Sequence, residues 1–169
     1  MPSTWIFQKK APSDRDLYRH WARGGAAFHY VSASPWHLYP WLSRFTERYG
    51  FPLGVFRLFV YRLTDESLLD LFSSPMEKKY RVLEGIFADF PQRRFILVGD
   101  SGEADPEVSS ALARSYGHQV EKIFVRVVPN SDLSEQQLKQ AFYGVDKRKW
   151  QLFRHPAEIE RSCLGYRLR

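Results

Sequence analysis

The run Phe95-Ile96-Leu97-Val98-Gly99-Asp100-Ser101-Gly102-Glu103-Ala104-Asp105 sets two carboxylates five positions apart, directly behind four apolar residues. An apolar strand that ends in a glycine-containing acidic turn delivers its carboxylates to the carboxyl edge of a parallel sheet, where open α/β sheets bind ligands. Carboxylates paired there suit a hard cation such as Mg²⁺, which takes oxygen ligands and bridges to phosphate. Asp100 and Asp105 are therefore candidate metal ligands, although Asp105-Pro106-Glu107 is also a sound helix start in its own right. Ser101, inside the turn, is a candidate phosphate contact. Ser32 closes a second apolar run, residues 26–32, where its hydroxyl can donate to a phosphate oxygen or bond to local backbone. Ser34 stands before Pro35 in the pattern of an N-cap followed by proline at the first helical position, and the free N–H groups of such a start attract anions. Lys79, with Lys78 beside it, opens the helix before the acidic strand. A lysine reaching the site would neutralise phosphate, whereas a Lys-Lys pair by itself reads as a solvated face.

No nucleophile accompanies this set. The sequence contains no G-x-S-x-G elbow, P-loop or G-x-G-x-x-G. His20, His29, His37, His118 and His155 form no H-x-x-x-H or H-E-x-x-H pair, and core or surface positions account for all five.

The elements that must position these residues alternate between helix-like and strand-like patterns, which predicts α/β architecture. Ser13-Asp14-Arg15-Asp16 behind Pro12 reads as a capping box for a helix over 17–23 that stops at Gly24-Gly25. Strands are expected over 26–32, 55–61, 94–98 and 120–128. Helices are expected from Ser34-Pro35 to Tyr49-Gly50 and over 75–89, 106–116 and 134–142, with a short one over 66–72. Trp150-Gln151-Leu152-Phe153 reads as an extended segment before a last helix near 156–161. Right-handed crossovers between such strands give a parallel sheet covered on both faces, with Ser32 and Asp100 on one edge. Trp36, Tyr39 and Trp41 suit a lipid interface, but packing of their helix on the sheet is expected to take up most of them.

Composition narrows the class. A length of 169 residues fits one domain, and 44% hydrophobic with 16% aromatic content can build a core. No stretch approaches the ~20 apolar residues of a membrane span, and the first ten residues lack a signal-type apolar segment. Cys163 is the single cysteine, which excludes an intrachain disulfide or thiolate cluster. Together these features point to a cytoplasmic protein. The net charge of +6 favours anionic partners or a solvated basic surface. Its densest cluster, Lys147-Arg148-Lys149, is too short to name a partner, and without a recognised nucleic-acid motif no nucleic acid is expected.

The stretch from Gly99 to Glu107, with Phe28-His29-Tyr30-Val31-Ser32-Ala33-Ser34-Pro35-Trp36 upstream, resembles the catalytic domain of the actin-patch-protein type of phosphatidate phosphatase, within the haloacid-dehalogenase-like superfamily. Phe90-Pro91-Gln92-Arg93-Arg94-Phe95 is similar to that family's lead-in to the acidic turn, and residues 150–156 to its tail. The resemblance divides the chain into an N-terminal remnant or linker (1–16), an incomplete catalytic domain (17–156) and a C-terminal tail (157–169). It implies a Mg²⁺-dependent phosphomonoesterase on a Rossmann-like sheet, cleaving phosphatidate to diacylglycerol and phosphate. Basic and aromatic surface would meet an anionic membrane peripherally. Under it Ser32 matches the hydroxyl motif that holds the phosphoryl group and Lys79 the lysine motif, with Lys78 as the fallback. Asp100 and Asp105 match the acidic motif that helps hold Mg²⁺.

The sequence departs from the family at the first motif, a strand ending Asp-x-Asp-x-Thr. There the first Asp attacks phosphorus and the second protonates the leaving oxygen. The only Asp-x-Asp here is Asp14-Arg15-Asp16, which has no apolar lead-in and no following Thr, and it reads as cap residues. The resemblance thus implies a chain whose first, central strand and nucleophile would lie upstream of Met1, and which is inactive or nearly so. Thr4-Trp5-Ile6-Phe7 is β-prone and is the segment suited to patch the gap. The rival expectation is a non-catalytic domain that holds phosphate or an anionic phospholipid through Ser32, Lys79 and backbone amides.

Overall fold

The computed structural model describes residues 4–7, 15–59, 74–129 and 134–159. Six strands, β1 (Thr4–Phe7), β2 (Ala27–Pro35), β3 (Val55–Phe59), β4 (Phe95–Asp100), β5 (Val120–Arg126) and β6 (Trp150–Phe153), form one sheet in the order β3-β2-β1-β4-β5-β6. Every pairing is parallel. The helices are α1 (Arg15–Arg23), α2 (Tyr39–Arg48), α3 (Pro75–Asp89), α4 (Asp105–Ser115) and α5 (Glu135–Ala141), with 3-10 turns at Trp36–Leu38 and Lys147–Lys149. This is the doubly wound α/β arrangement that the alternating pattern predicts.

A parallel sheet covered on both faces needs strands that are apolar throughout. β4 meets the demand, with Phe95 to Val98 all buried. Alternate side chains leave a strand on opposite sides. Phe95 and Leu97 therefore join Leu83, Ile86 and Phe87 of α3 and Val108 and Leu112 of α4 in one core. Ile96 and Val98 join Leu17, Tyr18 and Trp21 of α1 in the other.

The expected vacancy at the centre of the sheet is not there. β1 lies between β2 and β4, with Phe7 opposite Tyr30 on one side and Val98 on the other. Two interior strands with open edges would leave main-chain groups unpaired, and even a four-residue segment relieves that cost. The central strand thus comes from within residues 1–16, and the patching role of Thr4–Phe7 is the one realised.

Ser34 is not an N-cap. β2 runs on to Pro35, the turn Trp36–Leu38 follows, and α2 begins only at Tyr39. α3 and α5 do start on capping boxes, Ser74 with Glu77 and Ser134 with Gln137. Packing on the sheet leaves Trp36 and Trp41 largely uncovered, while Tyr39 and Phe45 meet Phe56 and Phe51. The helix has no buried residue, and Trp36 and Trp41 are 52% and 69% exposed. Trp36 stacks on Tyr39 at 5.1 Å, and Tyr39 meets Phe56 edge-on at 5.5 Å. Asp14, the ends of the 55–61 strand and of the last helix, and the 66–72 helix lie outside the described residues. Among the described residues no helix is long and apolar enough to cross a membrane.

Candidate active site

In this strand order the chain reverses its direction of winding between β1 and β4, and the crevice at the carboxyl ends of those strands is where such sheets bind ligands. Asp100 ends β4 at that point. Ser32 and Asp100 each lie two residues beyond the partners of Phe7, Tyr30 and Val98. They therefore flank the end of β1 on its two sides, about 10 Å apart at two strand spacings. The register between β2 and β3 shifts between Ser32 and Pro35, an irregularity that re-aims the end of β2.

Asp105 organises the acidic turn. It occupies the first turn of α4, whose N-cap is Ala104, and its carboxylate turns inward rather than capping the helix. One oxygen accepts from Lys79 Nζ, and the other accepts from the Asp100 N–H at 3.0 Å. Lys79, 3% exposed, also donates to Glu103 Oε2 at 2.9 Å. Burial by itself would lower the Lys79 ammonium. The Asp105 charge and the hydrogen bonds to Asp105 and Glu103 outweigh it and hold the group above its usual value. Burial pushes the Asp105 carboxyl up to about 7, against the pull of Lys79 and the Asp100 N–H. The two shifts have different causes: the carboxylates raise Lys79 against its burial, and burial raises Asp105 against the lysine. Gly99 makes room for the carboxylate, because a Cβ there would stand 2.6 Å from the Asp105 Cβ and Oδ2.

Around this lock the turn is wired to its neighbours. Asp100 Oδ1 accepts from the Gly102 N–H at 2.8 Å. Ser101, buried, accepts from the Val128 N–H at 3.0 Å, and its own N–H donates to the Arg126 carbonyl at 2.9 Å. Ser101 is thus engaged with the strand next door. Across the mouth, Ser32 Oγ donates to Ser34 Oγ at 2.9 Å and accepts from the Ser34 N–H at 3.2 Å. Both hydroxyls are half-buried at the rim. Arg126 lies opposite Asp100 in the β4–β5 register.

A Mg²⁺ ion commonly takes one or two carboxylates and fills its remaining positions with water and phosphate oxygens. Asp100 fits that role, being half-buried at the rim. Asp105 does not fit as a direct ligand in this arrangement, since both of its oxygens are engaged and it is wholly buried. Among the described residues no group of three His, Cys, Asp or Glu side chains forms a closed metal cage. The donors suit an ion completed by its phosphate ligand.

The structure brings Asp100, Asp105 and Lys79 together and sets Ser32 and Ser34 across the end of β1. Lys78 belongs to the half-buried surface of α3 and is not the lysine of the site. Glu103 escaped sequence reasoning because it neither ends a strand nor starts a helix, so only its bond to Lys79 marks it. Asp16, read as a cap residue, is instead an exposed residue within the first turn of α1, which begins at Arg15, and its carboxylate lies 3.4 Å from the Arg15 guanidinium; Ser13 and Asp14 of the expected capping box lie outside the described residues.

The fold and this turn define an α/β domain of the doubly wound class with a lysine-locked acidic loop at its switch point. The chain belongs to the family described as the catalytic domain of phosphatidate phosphatase APP1, which residues 5–127 match. It is 33% identical over 104 residues to phosphatidate phosphatase APP1 of Saccharomyces cerevisiae, covering 62% of this chain and 17% of that protein. It is 27% identical over 113 residues to an uncharacterised protein of Schizosaccharomyces pombe, covering 67% of this chain and 18% of that one. The matched part spans less than a fifth of either relative. No solved structure matches.

Proposed function

We propose that the chain binds the phosphomonoester group of phosphatidate together with Mg²⁺ at the carboxyl edge of β2, β1 and β4, in the manner of a haloacid-dehalogenase-type phosphatase, and that it turns the substrate over slowly or not at all. The observation that carries this reading is the Lys79-locked loop at the switch point of a sheet in the phosphatidate phosphatase family. In the proposed roles, Asp100 holds Mg²⁺, which supplies positive charge against the phosphate oxygens. Ser32 and Ser34 turn their hydroxyls from each other to those oxygens. Lys79 fixes Asp105, and Asp105 fixes the main chain of Asp100. These are positioning residues, and their preorganisation costs nothing at the moment of binding.

The strand that fills the centre accounts for the proposed loss of turnover. β1, which takes the central place, is followed in sequence by Gln8-Lys9-Lys10, so the strand at the centre does not end in an Asp-x-Asp pair. Neither amide nor ammonium can attack phosphorus to form the acyl-phosphate, and covalent capture is what divides the difficult step. Access to the lipid is assigned to α2, whose exposed Trp41 and Tyr39 stand with exposed Arg44 and Arg48. Aromatic rings at headgroup depth and arginines toward anionic lipid make a peripheral contact for a cytoplasmic protein.

Vesicle co-sedimentation tests the reading. Phosphatidate vesicles carry a phosphomonoester; phosphatidylglycerol vesicles carry charge without one. The chain is expected to prefer phosphatidate in Mg²⁺ and to lose that preference with chelator or in Asp100→Asn. Equal binding to the two lipids would overturn it.

A further inference from the structure

β6 ends the sheet, so its outer edge has no partner strand among the described residues. A cavity of about 380 Å³ runs along it, lined by each residue from Trp150 to Arg154. Lys122 and Val127, from β5 and the residue after it, and Glu135 and Lys139 of α5 complete its lining with Lys147. An open strand edge also offers main-chain N–H groups without ladder partners.

Three lysines from three elements converge on this space: Lys122 of β5, Lys139 of α5 and Lys147 of the 3-10 turn. Burial, then the charges of Lys139 and Lys122, lower the Lys147 ammonium. Lys147 Nζ lies 3.2 Å from the centroid of the Trp150 ring, which steadies it at the wall. Lys122 is held by the Arg148 carbonyl at 2.7 Å. Glu135 is the carboxylate lining the cavity, and it is taken by Arg154 at 2.5 Å while standing 4.0 Å from Lys139. Lysines are common guards of exposed strand edges. That accounts for a lysine along the edge, but not for three from separate elements lining one cavity.

The geometry points to an anion site: the cavity along β6 takes a ligand bearing a multiply charged phosphate group, gripped by Lys122, Lys139 and Lys147. Its volume falls in the lower part of the roughly 300–1,000 Å³ of small-molecule sites. A soluble phosphorylated compound and a phosphorylated lipid headgroup present the same chemistry there. The site is separate from the candidate active site and does not rest on the proposed function.

Calorimetric titration of the full chain with pyrophosphate at low salt is the soluble arm. Co-sedimentation with phosphatidylcholine vesicles containing a phosphatidylinositol bisphosphate is the lipid arm. The double variant Lys139→Gln/Lys147→Gln is expected to weaken whichever probe binds by roughly tenfold, since charge-assisted contacts are the strong ones. Lys147→Arg is expected to retain binding, which separates loss of charge from loss of fold. Asp100→Asn is expected to leave the pyrophosphate affinity within twofold, whatever it does to phosphatidate. Binding in the soluble arm assigns a free ligand; binding in the lipid arm alone assigns a headgroup. The proposal is overturned if neither probe binds, if the double variant binds as the wild type does, or if Asp100→Asn weakens pyrophosphate as much as the double variant.

Discussion

Lys79 and Asp105 illustrate how a buried ion pair can be costly and indispensable together. Their mutual attraction in a dry site offsets two desolvations, so the pair adds little net stability, whereas removing one partner strands a buried charge. Lys79→Met is therefore expected to lower unfolding free energy by about 3–5 kcal/mol, and the further change Asp105→Leu to restore part of it. Urea denaturation of the wild type, the two single variants Lys79→Met and Asp105→Leu, and the double variant checks this, and additive losses would contradict it. His29 carries a second, pH-dependent prediction. Its ring is buried edge-on to Phe90 at 5.7 Å, and its Nδ1 has no hydrogen-bond partner among the described residues. Burial, with Arg57, holds the imidazole below its usual 6.5 against the pull of Asp89. The folded state then binds fewer protons than the unfolded one just below pH 6.5, so the His29 contribution is present above that pH and lost as pH falls. The stability of wild type relative to His29→Gln is expected to decline from pH 7.5 to pH 5; a difference independent of pH would contradict the burial argument. Asp100, Asp105, Lys79 and Ser32 were legible as candidates because strand-end and helix-start patterns mark them. The inward turn of Asp105 was not, because Pro106 signals a helix start wherever the preceding side chain points.

β4 and α3 were the easiest elements to read, the one an unbroken apolar run and the other framed by Pro75 and an apolar face at Leu83, Ile86 and Phe87. β1 was the hardest. Four residues flanked by polar ones carry no periodicity, and their place is decided by two neighbours with open edges rather than by local preference. A central strand sends each N–H to one neighbour or the other, so a proline anywhere in β1 costs a ladder bond. Ile6, opposite His29 and Leu97, is the point of greatest leverage. Ile6→Pro is expected to cost at least about 3 kcal/mol and to broaden or abolish the cooperative thermal transition; an unchanged transition would remove β1 from the sheet. α2 failed in the opposite sense. Leu38, Trp41, Leu42 and Phe45 have the spacing of a packed face, yet no residue of the helix is buried. Periodicity reports an amphipathic helix, and it is silent on whether protein or lipid covers the apolar side.

Across the chain, the residues of the proposed phosphate site stand on a sheet whose central strand runs on into Gln8-Lys9-Lys10 rather than into a pair of carboxylates. Doubly wound sheets place ligands by topology, so the crevice exists whether or not a nucleophile stands in it. Binding and turnover are thereby separable, and the sequence Gln8-Lys9-Lys10 after β1 predicts the first without the second. Release of inorganic phosphate from phosphatidate in mixed micelles with Mg²⁺ decides the matter most directly. The purified chain is predicted to release no more than a protein-free blank. Release above that blank, abolished by Asp100→Ala, would contradict the proposed loss of the attacking group.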